Sequence, residues 1–200
     1  MPSKKLSKQR IVEEAVAYIS ETGNAEIPIR EISRRLDVKA PSLYNHFSST
    51  MELRHAVYQY SIDKFVTVLR ESVVGKTMDD AIIAFAESYH DFAMENRGLY
   101  TLIMSIPSDD DETGNSIALP LLDFAVSLLS EYDLDCRSVA HWQRVLRALL
   151  HGFVSQEYLG YFYHYKDVDV DDSRRMAVRC FLDGLHEEID RAHAANRDGI

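Results

Sequence analysis

Apolar residues return every three to four positions through most of this chain, the period of helices that bury one face. Ile11, Val12, Ala15, Val16 and Ile19 mark the first such face, and Thr22-Gly23-Asn24 supplies a residue suited to a left-handed exit, so a helix is expected over about Ser7 to Glu21. Pro28 then opens a short segment with Ile29, Ile32 and Leu36 in phase. Asp37-Val38-Lys39 separates it from a second short helix, Ala40 to Phe47. Beyond the cap-forming Ser48-Ser49-Thr50, an amphipathic stretch carries Leu53, Val57, Ile62, Val66, Leu69 and Val73 as far as Gly75. Longer elements follow: Met78 to Asn96, Gly98 to Ile106 and Leu119 to Glu131. The polar run Ser108 to Asn115 reads as a mobile surface loop, without the alternating ligands and distant Glu of a calcium loop. A helix over about 137–161 carries Trp142, Leu146, Leu149 and Phe153, and one over about 172–194 carries Val178, Leu182, Leu185 and Ile189. These two can pair as an antiparallel hairpin. Pro28, Pro41, Pro107 and Pro120 are placed between or at the starts of these segments, no strand pattern emerges, and an all-α fold of about nine helices is expected.

Composition narrows the class without changing that picture. Of 200 residues, 46% are hydrophobic and 27% charged, the balance of a folded globular chain. The longest apolar run, Ala118 to Leu129, is interrupted by Pro120 and Asp123 and is too short to span a bilayer, so no membrane partner is expected. Met1 to Arg10 is basic but leads into Ile11-Val12-Glu13-Glu14 rather than an apolar signal core, which points to a cytoplasmic protein. Cys136 and Cys180 lack ligand or disulfide spacing and read as core or near-core residues, and neither a metal site nor a cofactor is indicated. The net charge of −10 would repel DNA, yet the first 60 residues carry +2 and the remainder −12. A mildly basic head on an acidic body confines any DNA to the head.

Residues 29–47 form a helix, a turn and a second helix with Ile32, Leu36, Val38 and Leu43 inward, which is helix-turn-helix grammar. Small residues at the start of the second helix, Lys39-Ala40-Pro41-Ser42, let the backbone approach base edges while Lys39 meets phosphate. The stretch IPIREISRRLDVKAPSLYNHFSSTMELRHAV, with Leu43-Tyr44-Asn45-His46-Phe47, resembles the DNA-binding domain of TetR/AcrR-like regulators over about residues 7–57. That resemblance implies a helix-turn-helix domain at 1–50 and a larger helical ligand-binding and dimerisation domain at 51–200, joined by the helix 51–74. It also implies that Lys39, Ala40, Pro41 and Ser42 face the major groove, that Tyr44, His46 and their neighbour Asn45 meet the DNA, and that Arg30 reaches a base or phosphate. Leu43 and Phe47 are assigned to packing, Arg34 and Arg35 to a solvated face, and Lys4, Lys5 and Lys8 to a flexible basic arm. Two positions depart from the family pattern. Ile27-Pro28 replaces a hydroxyl cap, and Thr50 replaces a common Lys, so its hydroxyl can cap a helix or donate to phosphate but adds no charge.

Further along, AFAESYHDFAMENRGLYTLIM and HWQRVLRALLHGF resemble the C-terminal domain of one branch of these regulators, with Trp142 and His151-Gly152 carrying the likeness. The resemblance implies a homodimer whose last two long helices, about 137–161 and 172–194, form a four-helix interface. It implies a repressor that binds a palindromic double-stranded DNA operator and is released by a small-molecule effector. Pocket candidates for that effector are Tyr89, His90, Tyr100, His141, Trp142, His151 and Tyr158, and the aromatic run Tyr158 to Tyr165 fits a pocket mouth, a dimer contact or a domain boundary equally well. Two other classes compete: a helical protein-interaction adaptor, and a helical enzyme using His90, His141 and His151, for which no nucleophile motif, carboxylate pair or phosphate loop is present.

Overall fold

The structure, a computed structural model, describes residues 5–105 and 111–198. Among the described residues it is all-helical, with eight α-helices, two 3-10 helices and no strand. The α-helices are α1 (Lys8–Thr22), α2 (Ile29–Arg35), α3 (Thr50–Ser72), α4 (Met78–Glu95), α5 (Arg97–Ser105), α6 (Glu112–Leu129), α7 (Cys136–Tyr158) and α8 (Val170–Asp198). The 3-10 helices are Ala40–Asn45 and Tyr161–His164. Two compact units result, one of Met1–Val68 with Phe92–Leu121 and the other of Leu69–Asp91 with Leu122–Ile200.

In the first unit, Ile11, Ala15 and Ile19 recur at i, i+4 and i+8 and are fully buried along α1. Each such isoleucine contributes about 1.5–3 kcal/mol by leaving water. Ser7 caps α1 by accepting from the Arg10 amide, and Gly23, at φ 66°, closes it with its amide on the Ile19 carbonyl. α5 lies against α1 at this end. Gly98 comes so close to the Ile19 carbonyl oxygen and Cγ2 that no side-chain carbon fits between them. Behind it, Phe65 stacks on Phe92 and meets Tyr100 edge-on, with ring centroids 4.3 and 6.3 Å apart.

In the second unit, Val139, Gln143, Leu146, Leu150 and Val154 form the buried face of α7, and Val178, Phe181, Leu182 and Leu185 that of α8. Trp142 packs edge-on against Phe181 and reaches Gly184. The inward face of α7 is therefore offset from the expected one, with Trp142, Leu149 and Phe153 half-buried at its border.

Three expectations are corrected here. Helix α6 begins at Glu112, so Glu112 to Asn115 is helical; Asp111 accepts the Gly114 amide at 2.8 Å, replacing a missing intrahelical partner. The part of the expected loop at residues 108–110 lies outside the described residues. Pro120 sits inside α6 rather than at a boundary, where it removes one N–H from the ladder without ending the helix. Cys136 and Cys180 are exposed, because Cys136 is the first residue of α7 and Cys180 lies off the inward face of α8.

Candidate nucleic-acid interface

Proline preorganisation, without any side-chain cap, starts α2: Pro28 is extended at φ −77° and its carbonyl accepts the Glu31 and Ile32 amides. The turn after α2 is a Schellman motif built on a residue other than glycine. Asp37 stands at φ 54°, its amide donating to the Arg34 carbonyl and the Val38 amide to that of Ser33. Aspartate tolerates this left-handed conformation better than most residues, so the turn reverses the chain within three residues.

The second helix of the motif is 3-10, not α, over Ala40–Asn45, with Pro41 in its first turn. At six residues it is longer than the three or four that this tighter geometry usually sustains. The His46 and Phe47 amides then both donate to the Leu43 carbonyl. Leu43 and Phe47, four apart, are 2% and 4% exposed and pin the segment to the core. Anchoring on that side leaves the other in water: Lys39, Pro41, Tyr44 and Asn45 are exposed, Ala40, Ser42 and His46 half-buried, and Tyr44 keeps 49% of its surface. Arg30, in the first turn of α2, and Thr50, first in α3, are exposed as well.

The charges divide into two sets. Arg30 and Lys39 make no ion pair among the described residues. Of Arg34 and Arg35, both expected on a solvated face, Arg34 is exposed as expected and Arg35 is drawn in. Arg34 bonds Glu31, while Arg35 reaches Glu21 at 2.7 Å, Glu31 at 3.3 Å and Glu14 at 3.6 Å, with Tyr18 beneath its guanidinium at 5.0 Å. This clamp ties α2 to α1 and fixes the pose of the motif. Lys8 is not part of an arm either: it begins α1 and pairs with Glu52 at 2.8 Å. Lys5 is exposed, and Lys4 lies outside the described residues. Ser49 accepts the Glu52 amide and so caps α3, and the Glu52 carboxylate accepts the Ser48 amide, one residue before the partner that a capping box would use. The cue for it in the chain is Ser49-x-x-Glu52; for the clamp it is Glu31 followed at i+3 and i+4 by two arginines, whereas Glu14 and Glu21 become visible only in three dimensions.

Hydrogen bonds from Arg34 and then Arg35 hold the Glu31 carboxyl down at about 2, and Lys8 with Ser48 does the same for Glu52. Because both folded values lie below the ordinary 4.5, these groups stabilise fully above pH 4.5, and that contribution is lost as pH falls toward 2. Thermal unfolding between pH 6 and 2.5 is expected to show a midpoint falling below pH 4.5, less steeply in the Glu31→Gln/Glu52→Gln variant. Equal slopes would remove these carboxylates from the acid response.

The residues named for an effector pocket belong to both units. Tyr89 and His90 are buried in the second unit, where His90 Nε2 lies 2.8 Å from Glu157. Tyr158, next along α7, is half-buried. His151, half-buried beside Ser155, has its pKa pushed down by burial and by Arg147. Trp142 covers Phe181, and His141 is exposed. Tyr100 belongs to the core of the first unit.

Among the described residues the fold is all-helical and carries a helix-turn-helix anchored on its apolar side, with its polar side exposed. Residues 11–57 match the family of bacterial regulatory proteins, tetR family, and residues 82–181 match the tetracyclin repressor-like C-terminal domain. An uncharacterized HTH-type transcriptional regulator of Mycobacterium tuberculosis, Rv0681, is 33% identical over 172 residues, covering 84% of this chain and 76% of that protein. A structure from Rhodococcus sp. RHA1 superposes with a TM-score of 0.78 at 18% identity, covering 92% of this chain and 98% of the other. BioQ bound to its double-stranded DNA operator does so with a TM-score of 0.66 at 19% identity, covering 90% and 98%. The chain belongs to the TetR family of transcriptional regulators. It is therefore a DNA-binding regulator and not an enzyme.

Proposed function

We propose that this protein is a cytoplasmic homodimeric repressor that grips a palindromic operator through two copies of the helix-turn-helix and lets go when a small molecule occupies its C-terminal region. The observation that carries this is the exposed set Arg30, Lys39 and Tyr44 around a 3-10 helix whose inward residues Leu43 and Phe47 are buried. Lys39, Ala40, Pro41 and Ser42 enter the major groove, Tyr44, Asn45 and His46 meet phosphate or base edges, and Arg30 supplies a forked donor to guanine or phosphate. Thr50, at the α3 N-terminus beside its capping Ser49, offers a hydroxyl to phosphate. The DNA-reading part ends near residue 50, and α3 carries its position into the remainder of the chain. The similarity of residues 82–181 to the tetracyclin repressor-like C-terminal domain, and of the fold to BioQ with its operator, supports both halves of the proposal. Relief of repression requires the effector to bind the DNA-incompetent arrangement more tightly, because equal affinity for both moves nothing.

The dimer uses the face of α7 that the protomer leaves open. His141, Val145, Ala148 and Gly152 follow one another at i, i+4, i+7 and i+11; the first three are exposed, and a carbon added at Gly152 would meet nothing within 4 Å. On α8 the exposed Met176 and Cys180 continue an outward face. Small residues let two helices approach closely.

Operator affinity measured against salt concentration tests the contacts. Lys39→Ala is expected to weaken binding and to reduce the slope of log K against log[salt] by about 1, as loss of one phosphate contact does. Tyr44→Ala is expected to weaken it about tenfold or more with a smaller change of slope. Unchanged affinity in both variants would remove this surface from the DNA.

A further inference from the structure

We propose that the connection between α7 and α8, residues 159–168, is a clasp for a second copy of this chain, its tyrosines covering the arginine-bearing first half of the partner's α7. The inference rests on the reading of the outward α7 face as the dimer interface, and it adds which end of each helix meets which.

The connection is held in place from beneath. α7 is capped by Leu159, still in a helical conformation, and Gly160, at φ 72°, turns the chain into the 3-10 helix Tyr161–His164. Phe162 folds back on Phe153 of α7, with ring centroids 5.1 Å apart, and pins that short helix to the bundle. Its other residues face water: Tyr161, Tyr163 and Tyr165 keep 57%, 64% and 75% of their surface, and Leu159 and Val168, which flank them, are exposed as well. Tyrosine brings a large contact area at little conformational-entropy cost, and it concentrates where interfaces draw their energy.

Charge commits this surface to a second copy. From residue 136 to 156, α7 carries Arg137, Arg144 and Arg147 and no acidic residue, whereas residues 159–172 carry four aspartates against one lysine. All three arginines are exposed and make no ion pair among the described residues. At about 100° per residue, Arg137, His141, Arg144, Ala148, Gly152 and Leu159 fall in one stripe along α7. Two copies related by a two-fold axis can lay this stripe together in parallel or antiparallel. Parallel pairing sets each arginine of the stripe on its own counterpart, like charge on like. Antiparallel pairing, crossing at the small Ala148 and Gly152, sets His141 opposite the partner's Leu159 and brings Arg137 to the partner's clasp, where tyrosine ring faces and Asp167 receive a guanidinium. Opposite charges face each other only in the antiparallel arrangement.

Cross-linking of the full-length protein in a Cys136→Ser/Cys180→Ser background tests the clasp. Arg137→Cys/Tyr163→Cys is expected to give a covalent dimer with a short bismaleimide, and Arg137→Cys alone or Tyr163→Cys alone to give none. The two positions stand at opposite ends of a 23-residue helix, at about 1.5 Å per residue, and cannot be bridged within one chain. Cross-linking of Arg137→Cys alone, or none in the pair, would overturn the proposal. Tyr161→Ser/Tyr163→Ser/Tyr165→Ser and Arg137→Gln/Arg144→Gln are each expected to raise the dimer dissociation constant about tenfold or more, and together little further, because they remove the same contact. Unchanged dissociation constants, or effects that multiply, would also overturn it. Light scattering separates the two readings: a monomeric wild type would overturn the α7 dimer and the clasp together, whereas a dimer that Val145→Arg disrupts but that the paired cysteines leave uncross-linked would overturn the clasp alone. Circular dichroism of the variants establishes that they remain folded.

Discussion

Gly98→Ala is expected to lower the stability of the protein by about 1–3 kcal/mol, the cost of overpacking a close contact. The added carbon would overlap the backbone carbonyl of Ile19, which cannot swing aside as a side-chain tip can. That carbonyl also accepts the amide of Gly23, so moving it disturbs the closing cap of α1. For a chain of this size the thermal midpoint falls by roughly 2–4 °C per kcal/mol. With both glycines substituted in the monomeric Val145→Arg background, where the α7 face has no partner, Gly152→Ala is the internal control: it too adds a methyl to a helical glycine, but into open space, and it is expected to leave the midpoint unchanged or slightly raised. Equal midpoints for the two variants would mean that α5 does not rest on α1 in this way.

The second large effect concerns assembly. Val145→Arg and Gly152→Leu are each expected to yield a folded monomer at micromolar concentration, read as a halved mass in light scattering. Val145 is half exposed and Gly152 is open in the protomer, so neither substitution damages the core of a single chain. Operator affinity is expected to fall by about 10²–10⁴, the advantage that tethering two half-site readers confers. Dimers of undiminished stability in both variants would place the interface elsewhere.

Much of this architecture was legible in the chain because periodicity and local punctuation act at short range. Ser7, Gly23, Pro28 and Gly75 mark helix boundaries where the structure has them, and burial of Leu43 and Phe47 follows from their spacing alone. What escaped depends on contacts distant in sequence. Arg35 looks like one of two solvated arginines until Glu14 and Glu21 of α1 are folded against it. Gly98 looks like a helix-starting glycine until Ile19 arrives. Cys180 sits close to the apolar Val178, Phe181 and Leu182, and only the helix phase set by packing turns it outward. Pro120 reads as a boundary because proline disfavours helix interiors, yet the apolar residues on both sides hold α6 together across it. The signature Leu43 to Phe47 marks out the candidate DNA-facing set, while the shift of the recognition segment from α to 3-10 geometry carries no distinct mark beyond Pro41 and its brevity.

The central claim is that a dimer of this chain reads a two-fold DNA site through the segment from Lys39 to His46. Selection from random genomic fragments with the purified protein, repeated with Tyr44→Ala, tests it most directly. Enrichment by the wild type of a palindrome with half-sites about one helical turn apart or a multiple of it, lost in the variant, is the predicted result. Failure to enrich any sequence at low salt, or enrichment of the same site by both proteins, would contradict it.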